Sequence, residues 1–150
     1  MDAVIVQIAD AVETTLNAAS KDGGLSQPFE AERLYDPVQE LEDLDTLKVS
    51  VVSAADDSEL MTRSSVVMTD YQIFVGVQVR VDSIKRVTID PYVLLCEQIK
   101  ILFLGQFLTL ADLSEVLCTK AVIRPIFDNV HLDEKRVFTS VLTLTFRQGK

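Results

Sequence analysis

His131 is the only histidine in the chain, so any nucleophile–histidine–acid device would have to pass through it. It stands in a polar turn with Asp128 and Asp133 nearby, and no motif surrounds any serine or cysteine. A solvent-facing loop residue is the plain reading. A zinc site needs about four nitrogen or sulfur ligands, and one histidine with Cys96 and Cys118 does not supply them. Each cysteine has apolar neighbours, which suits a buried free thiol better than a disulfide. The run Glu40, Glu42, Asp43, Asp45 lacks the Asp-x-Asp-x-Asp-Gly order and closing Glu of a calcium loop. Gly23-Gly24 lacks the lysine and preceding strand of a phosphate cradle, and no aromatic and basic platform suits single-stranded nucleic acid. The residues point away from an enzyme, and no metal or cofactor is expected.

Charge is informative through its distribution. The net charge is −9, from 14 basic and 23 acidic side chains over 150 residues. Residues 1–60 hold 14 acids against 3 bases, a balance of −11, and residues 61–150 hold 9 against 11, a balance of +2. Wrapping DNA requires Lys and Arg to displace counterions from phosphates, so an acidic chain is poorly suited to it. A solvated acidic surface is the simple account. The sharper one is a surface that repels nucleic acid or meets a basic face of a neighbour. With 48% apolar and 25% charged residues, the composition is that of one globular domain long enough to bury a core. No apolar run approaches the roughly 20 residues that span a bilayer, and no leader precedes the first helix. A soluble, cytosolic chain is expected.

The elements that must position any working residue follow from periodicity. Val4, Ile8, Val12 and Leu16 recur every fourth residue and predict an amphipathic helix over 2–19, with Asp2 in its first turn; Lys21-Asp22-Gly23-Gly24 stops it. Strands are predicted over 29–35 and 47–54. The following ADDSELMTR is polar and shows no defined element, and the loop from Ala54 to Ser65 is expected to be mobile in the free subunit and ordered by a partner. Residues 66–81 alternate, with Tyr71, Ile73, Val75, Val77 and Val79 on one face. At ~3.3 Å per residue this strand is roughly 50 Å long, so it bends at Gly76 or projects beyond its domain. Asp90-Pro91 predicts a helix start, running to about Phe103 with Gly105 as the stop. Residues 106–115 give no clear signal, and 116–127 read as a strand with Pro125 near its end, at an edge or bend. The closing VFTSVLTLTFR puts Phe138, Ser140, Leu142, Leu144 and Phe146 on one side and Thr139, Val141, Thr143 and Thr145 on the other. The order α-β-β-β-α-β-β predicts an α+β domain, an antiparallel or mixed sheet with two helices packed on one face.

The second helix is apolar nearly all round. Val93, Cys96, Ile99 and Phe103 form a core stripe, yet Leu94, Ile101 and Leu104 fall on other sides. Either residues 106–115 cover them or a neighbouring subunit does.

Four stretches carry a resemblance: the opening helix with SQPFEAERLYDPVQELEDLDTLKVSVV, the long strand ending YQIFVGVQVRV, the Pro-capped helix, and IRPIFDNVHLDEKRVFTSVLTLTFR. In this order, and over most of the chain, they resemble the small tail terminator (tail completion) proteins of long-tailed bacteriophages. The resemblance implies a structural subunit of the virion, assembled in the host cytoplasm, that forms a hexameric ring at the head–tail junction. Such a ring caps the tail tube, ends its growth and offers a surface to a neck (stopper or connector) protein. The implied partners are the chain itself, the tail tube protein and that neck protein, with DNA passing through the lumen. Leu94, Ile101 and Leu104 are then candidate interface residues. Glu40, Glu42, Asp43, Asp45, Asp56, Asp57 and Glu59 are candidate lumen or rim acids, with Lys85, Arg86, Lys135 and Arg136 kept away. A head-to-tail neck protein that never sits on a tube is the alternative, and a small cytosolic enzyme a more distant one.

Overall fold

The computed structural model describes residues 2–35, 46–60, 67–83, 85–124, 130, 132 and 136–149. Two helices, α1 (Val4–Lys21) and α2 (Arg86–Phe103), accompany six strands: β1 (Glu30–Arg33), β2 (Lys48–Leu60), β3 (Val67–Arg80), β4 (Phe107–Thr109), β5 (Glu115–Ile123) and β6 (Val137–Gly149). The strands form one sheet in the order β1-β2-β3-β6-β5-β4. β1 runs parallel to β2 and every other pair is antiparallel. This is the expected α+β class with a mixed sheet, plus a short strand, β4, inside the stretch that gave no signal.

Strand alternation decides where the core lies. Tyr71, Ile73, Val75, Val77 and Val79 of β3 stand opposite Phe146, Leu144, Leu142, Ser140 and Phe138 of β6, and all ten are buried. Because side chains on a strand alternate between faces, one register commits the whole row to one side. Both helices cover that side. α1 buries Ile8, Ala9, Val12 and Leu16, and α2 buries Ile89, Leu95, Cys96, Ile99 and Phe103, all in a single cluster with the strand residues. Phe103 meets Phe146 edge to face at 6.4 Å between centroids, a favoured aromatic geometry.

α1 ends as its sequence predicts. Gly23 has φ +74° and Gly24 N–H reaches back to Ala19 C=O at 3.0 Å, the left-handed stop that glycine allows without a Cβ penalty. Its start differs: the helix begins at Val4, so Asp2 precedes the first turn, and the Asp2 carbonyl accepts from Gln7 Nε2 instead. α2 also starts earlier than expected. Lys85, extended, is the N-cap; its carbonyl accepts from Thr88 and Ile89, and the Ser83 and Thr88 hydroxyls bond at 3.1 Å. Pro91 therefore lies inside the helix, where its missing N–H costs one bond to Val87 C=O. Asp90-Pro91 looks like a helix start because Asp at an N-cap followed by Pro at the first helical position is a favoured opening, whereas here Pro91 falls in the second turn.

The largest departure is at residues 55–60. They are strand, the outer half of β2, paired to β3 through Leu60↔Val67, and not a polar loop. An extra residue at Ser53/Ala55 forms a bulge that breaks the alternation expected of a continuous strand. The long strand is unbroken through Gly76. β6 is paired alongside it to Gly149 and β5 flanks β6 as far as Arg147, so β3 does not outrun its own sheet. The sheet's far end, the arm, has the outer half of β2 at its margin. All six residues from Ala55 to Leu60 are exposed. On the arm's outer face Arg147 forks onto Asp70, Nε to Oδ1 at 2.8 Å and Nη2 to Oδ2 at 3.1 Å.

α1 also closes the outer edge of β1 with side chains. Ser20 Oγ bonds the Phe29 N–H and carbonyl, each at 3.0 Å. Asn17 accepts from Ala31 N–H at 2.7 Å and donates to its carbonyl at 3.1 Å. Glu13 accepts from Arg33 N–H at 2.6 Å, and Asp10 pairs with Arg33 Nε at 2.7 Å. Alternate strand residues thus meet helix residues three or four apart, which share one face.

Two expectations follow. Asn17→Ala strands both backbone groups of the buried Ala31 and should cost roughly 1–3 kcal/mol in denaturant unfolding; Thr14→Ala, on exposed helix surface, should not. The Arg147 fork holds the Asp70 carboxyl below its ordinary pKa. A depressed folded value gives stability that is present above the unfolded pKa of about 4 and is lost as pH falls through the folded value. Wild type should therefore be slightly more stable than Asp70→Asn at pH 7, and the difference should close on acidification below about pH 4.

Candidate functional site

Chemistry of the reactive side chains is muted. Cys96 and Cys118 are free and buried. Burial pushes each thiol up to about 11, against weaker lowering by hydrogen bonds, so neither is a thiolate at neutral pH. Among the described residues no group of His, Cys, Asp and Glu could hold a metal, and no helix is long and apolar enough to cross a membrane. His131 and Pro125 lie outside the described residues.

The molecule's distinctive features are surfaces. On α2, Leu94, Ile101 and Leu104 are 46%, 66% and 43% exposed, and Val87 is 80% exposed. Val87, Leu94 and Ile101 recur at seven-residue intervals, which on a helix of 3.6 residues per turn is one nearly straight stripe. It lies across the helix from the buried Ile89, Cys96, Ile99 and Phe103. Leu104, the C-cap, sits off this line. The stretch 106–115 does not cover the stripe: β4 pairs with β5 at the sheet margin, and the exposure of all four side chains follows. Val87 escaped the sequence reading because the helix was expected to start after it.

A second surface is the acidic margin of the arm. Asp56, Asp57 and Glu59 are all exposed on β2. Asp57 stands directly opposite Asp70, a repulsive cross-strand pair that the Arg147 fork on Asp70 partly relieves. Glu59 adds a longer-range attraction to Arg147. The other acids proposed from sequence, Glu40, Glu42, Asp43 and Asp45, lie outside the described residues.

A third surface is the sheet face away from the helices. Its half near Ser50, Val52, Gln78 and Thr139 is buried, and Gln78 Nε2 donates to Thr139 Oγ1 at 3.2 Å. The other half is an open hollow of ≈ 410 Å³ lined by Phe74, Val122 and Val141 with Lys120, Arg124 and Thr143. A larger groove of ≈ 620 Å³ runs between α1 and β4 past Asp10, Thr14 and the exposed Phe107. Gln7, whose buried Oε1 has no hydrogen-bond partner among the described residues, also lines it.

These hollows are open and hold no convergent acid, base and nucleophile. What the arrangement does offer is adhesion: an apolar helix stripe, charged strand margins and an uncovered half-sheet. The two thiols should stay unreactive toward a maleimide at pH 7 in the native protein and react only on unfolding. Labelling of native Cys96 or Cys118 at the rate of a free thiol would contradict their burial.

No protein-family model matches the chain, and no curated protein matches it significantly.

Proposed function

We propose that this chain is a structural subunit of a phage tail, one that assembles with copies of itself into a ring capping the tail tube and receiving a neck protein. The observation that carries the assembly part is the second apolar face of α2. A helix that is apolar on both sides needs a partner on each, and the core accounts for only one. Val87, Leu94 and Ile101 are spaced as a packing seam for such a partner.

The tail assignment is supported by the resemblance of four ordered segments to tail terminators, and by the α+β fold class that the resemblance implies. An acidic surplus in the first sixty residues suits a subunit surrounding a DNA passage, since fixed cations would trap phosphates. Glu40, Glu42, Asp43 and Asp45 are proposed for the lumen or its rim. DNA passes without specific binding, and no catalysis is assigned.

The test is tube assembly. Tail tube protein polymerised with this chain should give tubes of limited length carrying a ring at one end, seen by electron microscopy. Leu94→Asp/Ile101→Asp should keep the monomer's thermal unfolding close to wild type, since both positions are exposed, and should abolish capping. Tubes of unrestricted length with uncapped ends, and binding only to portal-side proteins, would assign the chain to the neck instead.

A further inference from the structure

Besides the outer edge of the three-residue β4, two stretches of strand margin have no hydrogen-bonded neighbour among the described residues. β1 follows β2 only as far as Val51, where Leu34 N–H makes the last bond, leaving Ala55–Leu60 open. β4 follows β5 only to Leu117, with Gly105 and Gln106 completing the bonds at Cys118, leaving residues 119–124 open. The margin of β1 is closed by Glu13, Asn17 and Ser20. Unpaired strand margins template pairing with another chain unless something prevents it.

We propose that the open margin of β2 in one copy pairs with the open margin of β5 in the next, so that the sheets of neighbouring subunits run on into one another. This rests on the ring reading and goes beyond it by assigning the seam. Four observations converge. Both open stretches are six residues, about 20 Å of strand. Directions agree: β2, β3, β6 and β5 alternate, so a head-to-tail neighbour sets β5 antiparallel to β2, the pattern within the subunit.

Faces agree as well. Aligning the two stretches end to end antiparallel sets Ala55, Asp57 and Glu59 opposite Arg124, Val122 and Lys120. Asp57 and Glu59 share the face of Asp70 and Met68, and Lys120 and Val122 that of Thr145 and Thr143, which is the face turned from the helices. On the helix side Asp56 and Ser58 meet Ile123 and Ala121, while Leu60 falls at Thr119, the bulge residue between Cys118 and Lys120.

Charge then selects this pairing over the others. Glu59 meets Lys120 directly, and Asp57 lies diagonal to both Lys120 and Arg124, within reach of long side chains. Lys120 and Arg124 are exposed, and none of these four makes an ion pair among the described residues. Two β2 margins would set acid against acid, and two β5 margins cation against cation. Only the heterologous contact is attractive, and a heterologous contact propagates into a ring or a filament, where an isologous one stops at a dimer. Asp57 and Glu59 accordingly serve the seam and not the lumen.

Full-length chain carrying Ser58→Cys and Ala121→Cys, oxidised under native conditions, should give a reducible covalent ladder ending at the ring mass. The native thiols, buried and pushed up to about 11, do not compete. Ser58→Cys alone should give no cross-linked dimer. Asp57→Lys/Glu59→Lys and Lys120→Glu/Arg124→Glu should each weaken self-association about tenfold or more in native mass measurements, and all four changes in one chain should restore it. Raising salt until the Debye length falls from ~10 Å to ~3 Å should loosen the wild-type ring. A ring that persists through both charge reversals without forming the ladder would overturn the seam while leaving the ring intact. A cross-linked dimer of Ser58→Cys alone would also overturn it. A chain that remains monomeric with and without tube protein would overturn ring and seam together.

Discussion

The pairing of β3 with β6, unbroken from Met68↔Gly149 to Arg80↔Val137, sets the position of nearly everything else. A strand's side-chain period is two, so a slip of one residue would carry Phe138, Leu142, Leu144 and Phe146 from the helices to the opposite face. Burying that row under both helices makes the slip prohibitive. At about 25 cal/mol for each Å² of apolar surface removed from water, a buried aliphatic or aromatic side chain contributes roughly 1.5–3 kcal/mol, and several would be lost together. The same register fixes Asp70 beside Arg147 on the outer face. Core and surface are thus two readings of one alignment.

The margins of the sheet are treated unequally. At β1 the helix α1 supplies polar side chains that stand in for a missing strand, satisfying backbone groups that would otherwise be stranded against the body. At the far side β4 does the same work for only three residues of β5. Beyond these short guards the outer parts of β2 and β5 rely on charge alone. A chain that closes one margin with such care and leaves two others to electrostatics is consistent with the adhesive, non-enzymatic role proposed for it.

Legibility in the sequence tracked how far each signal depended on neighbours along the chain. The helix stop at Gly23, the faces of β3 and β6 and the burial of the thiols are local matters of period and composition, and they are readable. The outer half of β2 was not, because Ala55, Asp56, Asp57 and Ser58 have poor strand propensity and are held by cross-strand bonds to β3. β4 is only three residues long, too short to show a period. The closing of β1 by Glu13, Asn17 and Ser20 had a faint signal, polar residues at helical spacing on one flank of α1, but their target lies further along the chain. Of the candidate surface, Leu94, Ile101 and Leu104 were visible as apolar residues off the core stripe. Val87 and the open margins were not, since exposure of a backbone edge leaves no mark in side-chain type.

The bulge between Ser53 and Ala55 has a broader meaning for how such a subunit could diversify. By spending one residue without a partner, β2 changes phase: odd positions that face the helices within the body face away from them along the arm. Body and arm are therefore two reading frames of a single strand, joined at a splice. Loss of that one residue would leave both the buried row and the arm's faces as they are, since Ala55 would still stand opposite Gln72 and Asp57 opposite Asp70. Drawing it into the ladder instead would exchange the arm's two faces, presenting Asp56, Ser58 and Leu60 where Asp57 and Glu59 now stand. A lineage could rewrite which neighbours it tolerates by a change of register at the splice, with the core as an indifferent bystander.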